Sequence, residues 1–215
     1  MKRLLINNAA FLGPYLFVAF LSLLWALTFD KLTLHLFLNQ FHTEFLDVLF
    51  PIVTHLGDGI TVAVISVLLL FVNFRWAFFM GSASLLNSLM VQFLKRGVFE
   101  GHFRPFYYFK ESEGFHLVEG VEMHERFAFP SGHTAAAFCL YFGLSLLVKN
   151  PVLKGALFFV ALIASYSRIY LSQHFVEDVL FGSVIGIFWA FIMFVFWSKV
   201  RPESRFLNRS ILQLS

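Results

Sequence analysis

Cysteine is almost absent: Cys139 is the only one in 215 residues, and it lies within an apolar run. No disulfide can form within the chain, and metal sites built on thiolates are excluded. Cysteine usage therefore says nothing about the redox compartment. Charge is scarce too, with 13% charged residues against 59% hydrophobic ones and 31 phenylalanines. So few charges cannot cover a soluble domain, and the composition requires a membrane as solvent. Internal repeats and low-complexity stretches are also missing.

What is present is a series of long apolar runs. A spanning helix needs roughly 20 largely apolar residues, and six runs approach that length, near 11–29, 51–72, 76–95, 133–149, 152–170 and 177–197. They predict an all-α integral membrane protein, a six-transmembrane-helix bundle forming a single domain over 1–215. The basic opening Met1-Lys2-Arg3 precedes a run that is long for a signal-peptide core, and Thr28-Phe29-Asp30-Lys31 follows it in place of a small-residue cleavage site. The first run is therefore expected to stay as a span. Between the first two spans, Leu34, Phe37, Leu38, Phe41, Phe45, Val48 and Leu49 recur at three- and four-residue steps, the period of an interfacial amphipathic helix.

Orientation follows from where lysine and arginine fall beside the spans. A cytoplasmic N-terminus places Lys2, Arg3, Arg75, Lys149, Lys154, Lys199, Arg201, Arg205 and Arg209 on the inner face, with Glu203 the one acid there. The pI near 9.1 then reflects a basic rim on anionic lipid, not nucleic-acid binding. The outer face carries one long loop, 96–130. Its His102, His116 and His124 have no metal-ligand spacing and read as solvated loop residues. Asp58 is isolated and the loop's glutamates are scattered, so nothing forms an acidic metal cage.

Three clusters meet on that outer face. His174 and Asp178 are four residues apart at a helix start, hence on one face. Asp178 can fix the tautomer of His174 and leave the other ring nitrogen as nucleophile, or the pair can be an interfacial histidine and a helix-start acid. Pro130-Ser131-Gly132-His133-Thr134 reads as a helix start whose Ser131 cap and Gly132 amide suit an anion, with His133 placed to donate a proton. The same segment also reads as an ordinary cap followed by an interfacial histidine. Lys95, Arg104 and Arg168 add three cations, each of which can alternatively snorkel to headgroups. Together the clusters supply what phosphoryl transfer needs: charge on the equatorial oxygens, an in-line nucleophile and a proton for the leaving oxygen.

Lys95 to Arg104-Pro105, then Pro130-Ser131-Gly132-His133, then Ser167-Arg168 with His174 and Asp178 resemble, in order and sidedness, the three signature motifs of the type 2 phosphatidic acid phosphatase and vanadium haloperoxidase superfamily. The resemblance implies that Lys95, Arg104, Ser131, Gly132 and Arg168 hold phosphate, His133 protonates the leaving group, His174 attacks phosphorus and Asp178 orients His174. It also implies no cofactor and no metal. The first motif departs from the family's spacing: eight residues separate Lys95 from Arg104 and seven separate Arg96 from it, against the usual six. Either cation can fill that role on sequence grounds. The haloperoxidase branch is typically soluble, whereas this chain is not. The expected activity is a membrane phosphatase acting through a phosphohistidine on a lipid phosphate or pyrophosphate, such as undecaprenyl pyrophosphate, phosphatidylglycerol phosphate or phosphatidic acid. Lipid A, a soluble sugar phosphate and a non-enzymatic scaffold are the alternatives. The expected setting is a bacterial inner membrane, with both termini cytoplasmic, the site periplasmic and membrane lipids as partners.

Overall fold

The computed structural model describes residues 2–213; Met1 and residues 214–215 lie outside them. The described residues form α1 (Lys2–Asn7), α2 (Ala9–Thr28), α3 (Lys31–Asn39), α4 (Glu44–Val53), α5 (Gly59–Leu68), α6 (Phe74–Phe93), α7 (Pro105–Phe109), α8 (Gly132–Leu147), α9 (Pro151–Tyr170) and α10 (Val176–Lys199), with no strand among them. Polar side chains set several starts. Asn73, Ser131 and Asn150 cap α6, α8 and α9 by accepting amide hydrogens of the first turn.

The six apolar runs all fall in helices, but four helical stretches are long and apolar enough to cross a membrane: Ala9–Thr28, Phe74–Val98, Pro151–Tyr170 and Val176–Lys199. The pair Glu44–Gly57 and Gly59–Phe71, bent by 51°, makes a fifth if taken as one span. Helix α8 has 16 residues, roughly 24 Å at 1.5 Å per residue. It is the central element, packed against α10, α9 and α6, with most of its residues buried. Its neighbours in the bundle are therefore protein side chains more than lipid.

The single amphipathic helix expected over 34–49 is two helices. Thr43 accepts the Leu46 amide hydrogen and starts α4, and Glu44 and Asp47 suit its first turn. The run expected to start at 51 thus starts at Glu44 and breaks at Thr54–Gly57. Asp58 caps α5 there and pairs with His55 at 3.0 Å. The loop after α6 also contains helix α7.

Close approach of α10 to α8 depends on two glycines. A Cβ on Gly182 would stand 2.5 Å from the Ser131 carbonyl oxygen, and one on Gly186 would overlap the Ala135 carbonyl and lie 2.7 Å from the Cys139 amide. The Gly182-to-Gly186 spacing is the small-residue pattern that lets spanning helices touch backbone to backbone. At the far end, Arg75 at the start of α6 donates to the carbonyls of Trp197 and Val200 at 2.6 Å each and to Asn208. Arg75, expected on the basic inner rim, also clamps the C-terminal segment onto α6.

Candidate active site

Lys95, Arg104, Gly132, His133, Arg168 and His174, drawn from four separate parts of the chain, line one cavity of about 340 Å³. The α6 residues Asn87, Ser88 and Gln92, the loop residue His124, and Gly57 and Gly59 at the α4–α5 break also line it. Gly57 belongs there for steric reasons, since a Cβ on it would lie 2.9 Å from the His133 carbonyl oxygen.

The third motif is folded back on itself. The amides of Gln173 and His174 both donate to the Arg168 carbonyl, at 3.0 and 3.1 Å. Ser172 takes a left-handed φ of 52°, uncommon for a non-glycine residue, and its hydroxyl meets His35 Nε2 at 3.2 Å. That turn returns His174 over Arg168. His174 Nδ1 is 3.4 Å from Asp178 Oδ2, which also accepts the Phe175 amide hydrogen at 2.9 Å. The helix-start role and the orienting position of Asp178 therefore coexist. The Ser131 amide donates to the Asp178 backbone carbonyl at 2.9 Å, tying the second motif to the third.

Each cation is held by a neutral acceptor. Lys95 Nζ donates to the Phe127 carbonyl at 2.9 Å, Arg104 to Gln173 Oε1 at 2.6 Å and the Arg126 carbonyl at 3.0 Å, and Arg168 to Thr54 Oγ1 at 2.7 Å. Arg168 is buried, and its Nε has no partner among the described residues. A buried guanidinium with an open N–H group, beside two other cations and one carboxylate, is an environment made for an anion. Burial pushes the His174 pKa well below its usual value, and Arg104, Lys95 and Arg168 push it the same way. Its imidazole is therefore neutral at pH 7, the form a nucleophile requires. Burial also lowers the Arg104 pKa, against the attraction of Asp178.

Helix geometry places Lys95 and Arg96 differently. Leu94–Val98 forms a π-helical turn, which inserts residues without ending the helix. Lys95 ends up buried and facing the cavity; Arg96 is exposed, its guanidinium over the Phe127 ring at 5.9 Å. Ser131 sits behind the cavity wall, fully buried, with its oxygen accepting from the Thr134 hydroxyl at 2.9 Å and amide at 3.4 Å. Its own hydroxyl hydrogen remains to be donated.

Residues 76–202 match the model of the PAP2 superfamily. The chain belongs to this superfamily. Among PAP2 relatives it is 32% identical over 88 residues to undecaprenyl-diphosphatase BcrC of Bacillus subtilis, covering 40% of this chain and 45% of that one. It is 37% identical over 89 residues to phosphatidylglycerophosphatase B of the same organism, covering 37% and 44%. The matched stretches thus span less than half of each relative. Among solved structures, Aquifex aeolicus LpxE superposes with a TM-score of 0.67 at 28% identity, covering 78% of this chain and 97% of that one. A transmembrane PAP2-type phosphatidylglycerolphosphate phosphatase from B. subtilis shares the fold, with a TM-score of 0.64 at 23% identity over 92% and 99%. The chain is an integral membrane PAP2 protein.

Several contributors escaped the sequence reading: Thr54, Gln173, Asn87, Ser172 and the glycines Gly57, Gly182 and Gly186. Of these, the Gly182–Gly186 pair alone left a local signal. His116, expected as a solvated residue, is half-buried, stacks on His42 at 3.8 Å and meets Asp47 at 2.9 Å. His102 is half-buried as well, and its Nδ1 is buried. His124 is exposed as expected, but it lies on the cavity rim.

Proposed function

We propose that this chain is a phosphatase that hydrolyses a lipid phosphate or pyrophosphate through a phosphohistidine on His174, without a metal ion. The observation that carries the reading is the convergence of three cations with His133 and His174 on one cavity, with Asp178 behind His174. Lys95, Arg104, Arg168 and the Gly132 amide bind the phosphoryl oxygens, and Ser131, behind the cavity wall, holds the start of α8 in place. Nε2 of His174 forms a bond to phosphorus while the P–O bond to the leaving group breaks in line, and His133 gives that oxygen its proton. Water then attacks phosphorus with His133 as base, the P–N bond breaks, and inorganic phosphate leaves with His174 restored. Asp178 keeps the proton on Nδ1 throughout. The three cations supply the charge that a metal supplies in other phosphoryl-transfer sites.

Membrane embedding favours a lipid substrate, since the tails can stay in hydrocarbon while the headgroup enters. The names of the relatives point to an undecaprenyl pyrophosphate or a phosphatidylglycerol phosphate. In this reading α8 and the bent α4–α5 pair are the remaining two of six spans; the positive-inside distribution supports an outward-facing site, and the setting is a bacterial inner membrane.

The test is phosphate release by purified wild type and His174→Ala, with EDTA present. The panel is undecaprenyl pyrophosphate, phosphatidylglycerol phosphate, phosphatidic acid, lipid A and glucose 6-phosphate. Chelator-resistant release that the substitution abolishes is expected. Release by the mutant at the wild-type rate sinks the nucleophile assignment, and activity on glucose 6-phosphate alone sinks the lipid reading.

A further inference from the structure

Lys154 is placed where an ammonium is costly. It is 4% exposed and sits one turn into α9, near the positive end of that helix's dipole. Removing its charge from water calls for a counter-charge, yet among the described residues no carboxylate lies within ion-pair distance of it. Its ammonium donates to Asn8 Oδ1, at 2.5 Å. Asn8 stands at the cap of α2 but makes no cap bond. Instead its Nδ2 donates to the Leu4 carbonyl at 2.8 Å, which turns its oxygen toward Lys154.

These residues border a cavity of about 480 Å³, together with Asn7, Lys149 and the C-terminal end of α8. The cavity lies at the opposite end of α8 from the catalytic one, which Gly132 lines. The helices beside it expose apolar side chains, with Ile6 at 63% and Val152 at 79%. We propose that this cavity binds the phosphate of an anionic phospholipid headgroup, with Lys154 and Lys149 supplying the charge and Asn7 a hydrogen bond. Basic pockets between spanning helices take anionic headgroups by this chemistry. The apolar rim favours a lipid over free phosphate, because an acyl chain can lie along Ile6 and Val152 while the headgroup enters. The site does not depend on the reaction at the other end.

The test is native mass spectrometry of the full-length protein in detergent with phosphatidylglycerol, phosphatidylcholine or inorganic phosphate alone. Wild type, Lys154→Gln, Lys149→Gln and His174→Ala are compared. Wild type and His174→Ala are expected to retain phosphatidylglycerol in preference to phosphatidylcholine, and each lysine substitution to weaken that retention about fivefold. Should Lys154→Gln fail to fold, the exposed Lys149 carries the same test. Equal retention of the two lipids by wild type, or unchanged retention in the lysine variants, overturns the site. Inorganic phosphate held as tightly as the lipid overturns its lipid source. Loss of the preference in His174→Ala assigns the bound lipid to the catalytic cavity and overturns the proposal as well.

Discussion

At the Gly132 end of α8, three cations are each fastened by a neutral acceptor and converge beside His133 and His174, with one carboxylate behind. At the Leu147 end, the buried Lys154 has an amide oxygen for company and no histidine lines the cavity. Both ends collect positive charge, which suffices to attract a phosphate. Cleavage asks for more: a nucleophile that is neutral, a proton donor, and a rigid frame that keeps them in line. The frame at the first end is the α8–α10 contact and the turn from Arg168 to His174.

The sharpest way to break this contrast is His174→Ala, which removes the proposed nucleophile and is expected to lower kcat by on the order of 10⁴–10⁶-fold in a phosphate-release assay. A smaller loss, about 10³–10⁴-fold in kcat, is expected for Asp178→Asn, because the amide no longer selects the tautomer of His174. Gly186→Ala forces a methyl into the Ala135 carbonyl and should cost about 1–3 kcal/mol or more, read as a lowered melting temperature in detergent together with reduced activity.

Arg104→Ala sharpens the electrostatic half of the comparison. Activity through a neutral imidazole falls as pH drops through the His174 pKa, which burial and then Arg104 hold well below the usual value. Removing that guanidinium raises the pKa, so the acid limb of the kcat/KM profile should move to higher pH. Comparing variant with wild type on one substrate cancels the substrate's own ionisation. The smallest effect is expected from Lys149→Gln at the other end, with kcat within about twofold of wild type, in keeping with a surface substitution away from the reacting groups.

The spans were legible because a bilayer imposes a length on every segment that crosses it. The runs 152–170 and 177–197 could hardly be anything else, and they fall in the helices Pro151–Tyr170 and Val176–Lys199. His174 and Asp178 were legible because four residues is one helical turn. The break at Thr54–Gly57 was not, since nothing local announces that Gly57 must pass the His133 carbonyl or that Thr54 must reach Arg168. Lys154 was read as a rim lysine from its place at a span end; its burial depends on α1 and Asn8, 146 positions away.

The sequence by itself determined that the chain lives in a membrane, that a helix starts at the Ser131 cap, and that its third motif can form a nucleophile with an orienting carboxylate. These are consequences of composition, local hydrogen bonding and helical period, all readable within a few residues. The tertiary structure alone decided that Lys95 and not Arg96 enters the cavity, that α8 serves as the buried axis, and that a second basic cavity lies at its far end. Each of those depends on the phase of one helix relative to another. A π-helical turn at Leu94–Val98 and a pair of glycines at Gly182 and Gly186 set that phase through contacts between segments distant in the chain.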